Sequence, residues 1–112
     1  MAFIVSDREH WVLMKKVKFS GRWKNLRIAN IFEYKTLNAA VKGLPVDIER
    51  LEAEIAELRQ SLAGKQRQER IWILKGIYPL ERSLQLRLKN LIKLIEFVDE
   101  TEVADGIKTS FL

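Results

Sequence analysis

The side chains able to do chemistry are few in this chain, and they are poorly spaced for catalysis. His10 is the single histidine and there is no cysteine, so disulfides, thiolate metal sites and cysteine nucleophiles are excluded by inventory. No glycine-rich phosphate loop, nucleophile elbow or histidine–glutamate helix motif occurs. Glu49, Glu52, Glu54 and Glu57 include spacings of three, and a carboxylate-bearing helix can ligate metals inside a bundle. That chemistry usually draws histidines from a facing helix, and none is available. The glutamates therefore read as a solvated acidic face, and His10 as a half-exposed neighbour of Trp11. Neither catalysis nor a cofactor or metal is expected.

The pattern with more chemical meaning lies at residues 15–27. No Asp or Glu occurs from His10 to Phe32, whereas Lys15, Lys16, Lys18, Arg22, Lys24 and Arg27 do, with Phe19 and Trp23 among them. Cations neutralise phosphates and release counterions, and aromatic planes stack on unpaired bases. Lys15, Lys16, Lys18, Arg22, Trp23, Lys24 and Arg27 are thus the candidate polyanion-binding set. The competing reading has the lysines solvating a helix edge over core aromatics.

The wider charge distribution is blocked. The net charge of +5 resolves into +6 over 1–44, −3 over 45–63, +6 over 64–93 and −4 over 94–112. Such alternation suits pairing of acidic with basic segments, within or between chains, or a basic face offered to a polyanion. Arg82, Lys89 and Lys93 share one face of the last predicted helix, with Lys65, Arg67, Arg70 and Lys75 before it. Glu96, Asp99, Glu100 and Glu102 crowd a helix carboxyl end, where the dipole disfavours them. They are expected to meet the basic amino-terminal region of the same or a neighbouring chain.

The elements that must position these residues read as helices. Leu37, Val41, Leu44, Ile48, Leu51, Ile55, Leu58 and Leu62 recur at alternating steps of four and three, the seam of a helix burying one stripe. A helix is predicted from 45 or 46 to about 63, and the stripe keeps its register across Gly43 and Pro45. One kinked helix and two aligned helices both fit. A second seam runs through Leu74, Ile77, Leu84, Leu88, Leu91, Ile95 and Val98, predicting a short helix over 68–75 and a long one over 79–99. Leu86, Ile92 and Phe97 lie off this seam and mark an exposed partner face.

Upstream, Ser6 and Glu9 form a capping-box pattern, so a helix over 7–19 is predicted, followed by one over 22–42. The rival reading is a β-hairpin, with a strand over 12–19 returning through Leu26 and Ile28. The expected architecture is all-α: an antiparallel, coiled-coil-like helical hairpin packed with amino-terminal helices into one small bundle. The alternative is α+β with an amino-terminal β-hairpin. Residues 101–112 read as a tail that docks through Phe111 and Leu112 or frays.

With 112 residues, 47% of them hydrophobic and 31% charged, one globular domain is expected, its hairpin core at 45–99. No uninterrupted apolar run approaches the roughly 18 residues of a membrane span, and no basic region precedes the apolar start as in a signal peptide. A cytoplasmic, intracellular protein with no membrane partner is expected. The leading functional expectation is a non-enzymatic helical interaction or adaptor protein. It would homodimerise or bind a protein partner through the seam residues Leu51, Ile55, Leu58, Leu84, Leu88, Leu91, Ile95 and Val98. The alternative is a small basic regulator that binds DNA or RNA through residues 15–27.

Overall fold

The computed structural model describes residues 2–105. Three strands precede two helices: β1 (Ala2–Asp7), β2 (His10–Phe19), β3 (Arg22–Phe32), α1 (Leu37–Gln60) and α2 (Arg67–Asp105). The chain is α+β, which overturns the all-α expectation and matches its alternative. The strands form an antiparallel meander, β1-β2-β3.

Turn chemistry explains why residues 7–32 are not helical. Ser20 and Gly21 both take positive φ, 53° and 79°, between the paired residues Phe19 and Arg22. A two-residue loop of this kind has the twist that antiparallel strands need. At the β1–β2 turn Arg8 has φ 61°, and Ser6 Oγ donates to the Arg8 carbonyl at 3.4 Å. The Ser6–Glu9 pattern thus serves a turn, not the predicted helix cap.

The register between β2 and β3 slips twice, between Trp11 and Val12 and between Leu13 and Met14. Each slip lets one strand carry an extra residue and tightens the twist. Val12, Leu13, Ala29, Ile31 and Phe32 are buried along this stretch. Phe32 has φ 55°, and its amide donates to Asn30 Oδ1 at 2.7 Å, turning the chain out of the sheet. Thr36 then caps α1, its Oγ1 accepting from the Ala39 amide at 3.1 Å.

Both helices run through their prolines. Pro45 lies inside α1, and Pro79 inside α2, which is a single 39-residue helix rather than the predicted short and long pair. An interior proline costs roughly 3 kcal/mol. Leu44 and Ile48 flank Pro45 in the core, and Ile77 is buried beside Pro79. Each such buried side chain contributes about 1.5–3 kcal/mol, enough to hold the backbone helical. Both prolines are exposed, so water can serve the carbonyls they leave free.

The helices pack as an antiparallel hairpin over one another, and α2 also covers β3. Leu13, Ile31, Phe32, Ala40, Leu44 and Leu94 make the core where sheet and hairpin meet. Among the residues of α2 whose side chains are described, Ile77, Leu94 and Val98 are the buried apolar ones, and Leu84 and Leu91 are partly buried. No helix is long and apolar enough to cross a membrane, among the described residues. The predicted docking of Phe111 and Leu112 falls outside them.

Candidate nucleic-acid interface

Beyond the core, β2 and β3 continue as a two-stranded arm. The last residue of β2 that β1 reaches is Lys15, paired with Ala2, so residues 16–25 are a ribbon of two strands only. Of that ribbon Val17 alone is partly buried among its apolar side chains; Phe19 and Trp23 are 64% and 67% exposed. At about 3.3 Å per residue the arm reaches some 13 Å past the edge of β1.

Register assigns its side chains to two faces. Met14 pairs with Arg27, Lys16 with Asn25 and Lys18 with Trp23. Directly paired residues point the same way, so Lys16, Lys18, Trp23, Asn25 and Arg27 share one face. Lys15 with Leu26, Val17 with Lys24, and Phe19 with Arg22 share the other. Lys18 Nζ sits 5.9 Å from the Trp23 ring centre on the first face, and Lys24 Nζ 5.2 Å from that of Phe19 on the second. The two ammonium groups thus lie over the exposed rings at cation–π distance.

The faces differ electrostatically at their base. Arg27 reaches back to Asp7 at 3.1 Å in an exposed ion pair, contributing at most about 1 kcal/mol. Lys15 and Leu26 line a small cleft with Lys93, Glu96, Phe97 and Glu100 of α2. Of the four acids expected to meet the basic amino-terminal region, Glu96 and Glu100 lie beside it in the same chain, Asp99 does not line this cleft, and the side chain of Glu102 is outside the described residues. Glu96 and Glu100 make the α2 side of the arm mixed in charge. On the opposite face Lys16, Lys18, Trp23 and Asn25 stand above Arg27 and the Asp7 it holds, and no acid lies on either face of the arm itself.

All seven candidate polyanion residues are brought together on β2 and β3, but around both faces of a ribbon rather than along a helix edge. The seam candidates divide. Ile55 and Val98 are buried, and Leu51, Leu58, Leu84, Leu88 and Leu91 partly so, while Ile95 is 44% exposed. Of the candidate partner face, Leu86 and Ile92 are 49% and 56% exposed, whereas Phe97 packs against the core. His10 lies at the β1–β2 turn, its ring 5.7 Å from that of Phe32 in an edge-on contact. It borders an open cleft of about 1140 Å³ shared with Arg59, Tyr78, Glu81, Gln85 and Arg87.

Residue-level reading missed the polar joint beneath this cleft. Asp47 is buried, and its carboxylate accepts from the Tyr34 hydroxyl at 2.5 Å, from Arg50 at 3.0 Å and from Arg87 at 3.3 Å. Arg87 also lies 4.3 Å over the Phe32 ring and 3.4 Å from Glu33. Burial, with the hydrogen bond to Asp47 and the charges of Asp47 and Glu33, pushes the Tyr34 hydroxyl up to about 12. Asn90, also buried, accepts from the Asn30 amide at 2.7 Å and donates to the Leu86 carbonyl at 2.8 Å. These groups satisfy one another, so their role is to lock the sheet onto the hairpin. The available signal was an Asp three residues after Leu44 and four before Leu51, next to the seam position Ile48.

No family model, curated protein or solved structure matches this chain.

Proposed function

We propose that the protein is a non-enzymatic nucleic-acid-binding protein that engages phosphates and bases with the arm formed by residues 16–25 and with Arg27 at its base. The observation that carries the reading is the arm itself: Lys16, Lys18, Arg22 and Lys24 with exposed Phe19 and Trp23, projecting beyond the core with no acid among them. A two-stranded ribbon fits the major groove of duplex DNA, where lysines meet phosphates and an asparagine such as Asn25 can pair with an adenine edge. Trp23 adds a stacking plane for unpaired bases. Both faces of the arm take part, Lys16 and Lys18 on one and Arg22 and Lys24 on the other, with Asp7 at the base of the first and Glu96 and Glu100 beside the base of the second.

The test is fluorescence anisotropy with labelled duplex and single-stranded DNA and RNA across a salt series. Neutralising about four phosphates predicts a slope of log K against log salt near −4 for a duplex. Reversing Lys16 and Lys24 to Glu should lower affinity at least about tenfold and flatten that slope by roughly 2 units, with the helical spectrum unchanged. Trp23→Ala should weaken single-strand binding selectively. Absence of binding to every nucleic acid at low salt would sink the proposal.

A further inference from the structure

The outer surface of α2 carries a second apolar stripe that the hairpin touches only at its middle, where Arg59 of α1 pairs with Glu81. Ile71, Leu74 and Tyr78 at its start are 40%, 49% and 64% exposed, and Ile92 and Ile95 toward its end 56% and 44%. Leu88 completes the set, partly covered by the fold. Between the two halves stand Glu81 and Gln85. The positions 71, 74, 78, 81, 85, 88, 92 and 95 step by three and four in strict alternation, the spacing of a coiled-coil seam. Continuing the same alternation outward reaches Arg67 at one end and Asp99 at the other. The sheet packs on a different side of α2, through Asn90, Leu94 and Phe97, and leaves the stripe open.

We infer that this stripe is a self-complementary seam on which a second copy of the chain packs, α2 against α2, antiparallel. The order of residues is what selects a second copy and its direction. Reversed upon itself about its centre, the stripe sets Ile71 against Ile95, Leu74 against Ile92 and Tyr78 against Leu88. The central layer places Gln85 beside Glu81, whose carboxylate Arg59 already neutralises, so this layer is neutral in either direction. The end layer places Arg67 against Asp99, opposite charges. A parallel pairing instead sets Arg67 and Asp99 each against its own copy, two like-charge layers within the seam. The antiparallel arrangement converts both to complementary layers.

The flank of the stripe has its own consequence. Lys75, Arg82 and Lys89 run beside it at intervals of seven and are exposed. In the dimer these cations face their counterparts across the seam, so screening by salt strengthens the assembly. Nucleic-acid binding has the opposite salt response, and the dimer stands whether or not the arm binds nucleic acid.

The experiment is sedimentation of the nuclease-treated full chain over a concentration series. A mass of twice 13.1 kDa is expected, with a dissociation constant that falls as salt rises. Leu74→Glu and Ile92→Glu alter side chains exposed in the single chain, so each should retain the helical spectrum and raise the dissociation constant at least about tenfold. Arg67→Asp should weaken the dimer and adding Asp99→Arg should restore it. The lysine reversals in the arm should leave it unchanged. Because the chain lacks cysteine, direction is read by oxidation: Leu74→Cys mixed with Ile92→Cys should cross-link, and neither alone. A chain of 13.1 kDa at about 0.1 mM, a dimer indifferent to both glutamates, or preferential cross-linking of Leu74→Cys with itself would overturn the inference.

Discussion

At the scale of single residues the joint around Asp47 is the most demanding feature. Tyr34 lies so close to Gly43 that any Cβ there would strike its ring, and α1 carries glycine at a point where helix propensity argues against it. The absence of a side chain lets the phenol lie across the helix and reach Asp47. Burial disfavours the ionised phenol, and ionisation would also break its hydrogen bond to Asp47 and add a third negative charge beside Asp47 and Glu33, so its pKa rises from the usual 10.0 to about 12. The folded state favours the neutral form, so this contribution to stability is fully present below about pH 10 and is lost as pH climbs through 12. Denaturant titrations between pH 8 and 12 should show that loss. Tyr34→Phe should be less stable at neutral pH by about 1.5–3 kcal/mol, and its decline in the alkaline range should be shallower.

At the scale of elements, turn geometry and burial overrule the helix signals. Gly21 adopts φ 79° with open space around it, so its requirement is conformational rather than steric. Gly21→Val should strain the arm's turn by about 1 kcal/mol or more, fraying residues 16–25 while β1 and the base of the hairpin persist. Amide exchange should accelerate at the arm alone, and nucleic-acid affinity should fall with little change in the global melting transition. The helices illustrate the converse, because Pro45 and Pro79 break local hydrogen bonding yet leave α1 and α2 continuous where neighbouring Leu44, Ile48 and Ile77 are buried.

At the scale of the whole molecule the sheet and the hairpin are held together by a short core and by Asn90. The molecule extends 61 × 30 × 21 Å, its length close to that of α2, so one end of a long rod carries the sheet. Asn90→Ala would leave the Asn30 amide without its acceptor in a part-buried site, costing about 1–3 kcal/mol. The expected result is a lower melting temperature together with faster exchange at the Asn30 amide. An unchanged melt would mean that the apolar cluster around Leu94 alone secures the sheet.

Much of this molecule is written in local order, and some of it is not. The period of apolar residues from Leu37 to Leu62 and from Ile77 to Val98 specifies two helices, since helical side chains three and four apart must share a face whatever lies opposite. The seam of α2 was only partly legible for the same reason. Two stripes interleave on that helix, and period alone cannot say which meets α1 and which meets solvent; packing turned Leu94 inward and Ile95 outward. The basic run at residues 15–27 was visible as charge, but its placement on a ribbon was hidden, because both faces of residues 16–25 meet water and no buried face imposes the alternation by which strands are recognised. The sequence by itself determined the helical periods, the absence of cysteine chemistry and the acid-free stretch before Glu33. Only the tertiary structure decided that this stretch stands free as an arm, because β1 stops pairing at Lys15 and no other described element covers residues 16–25.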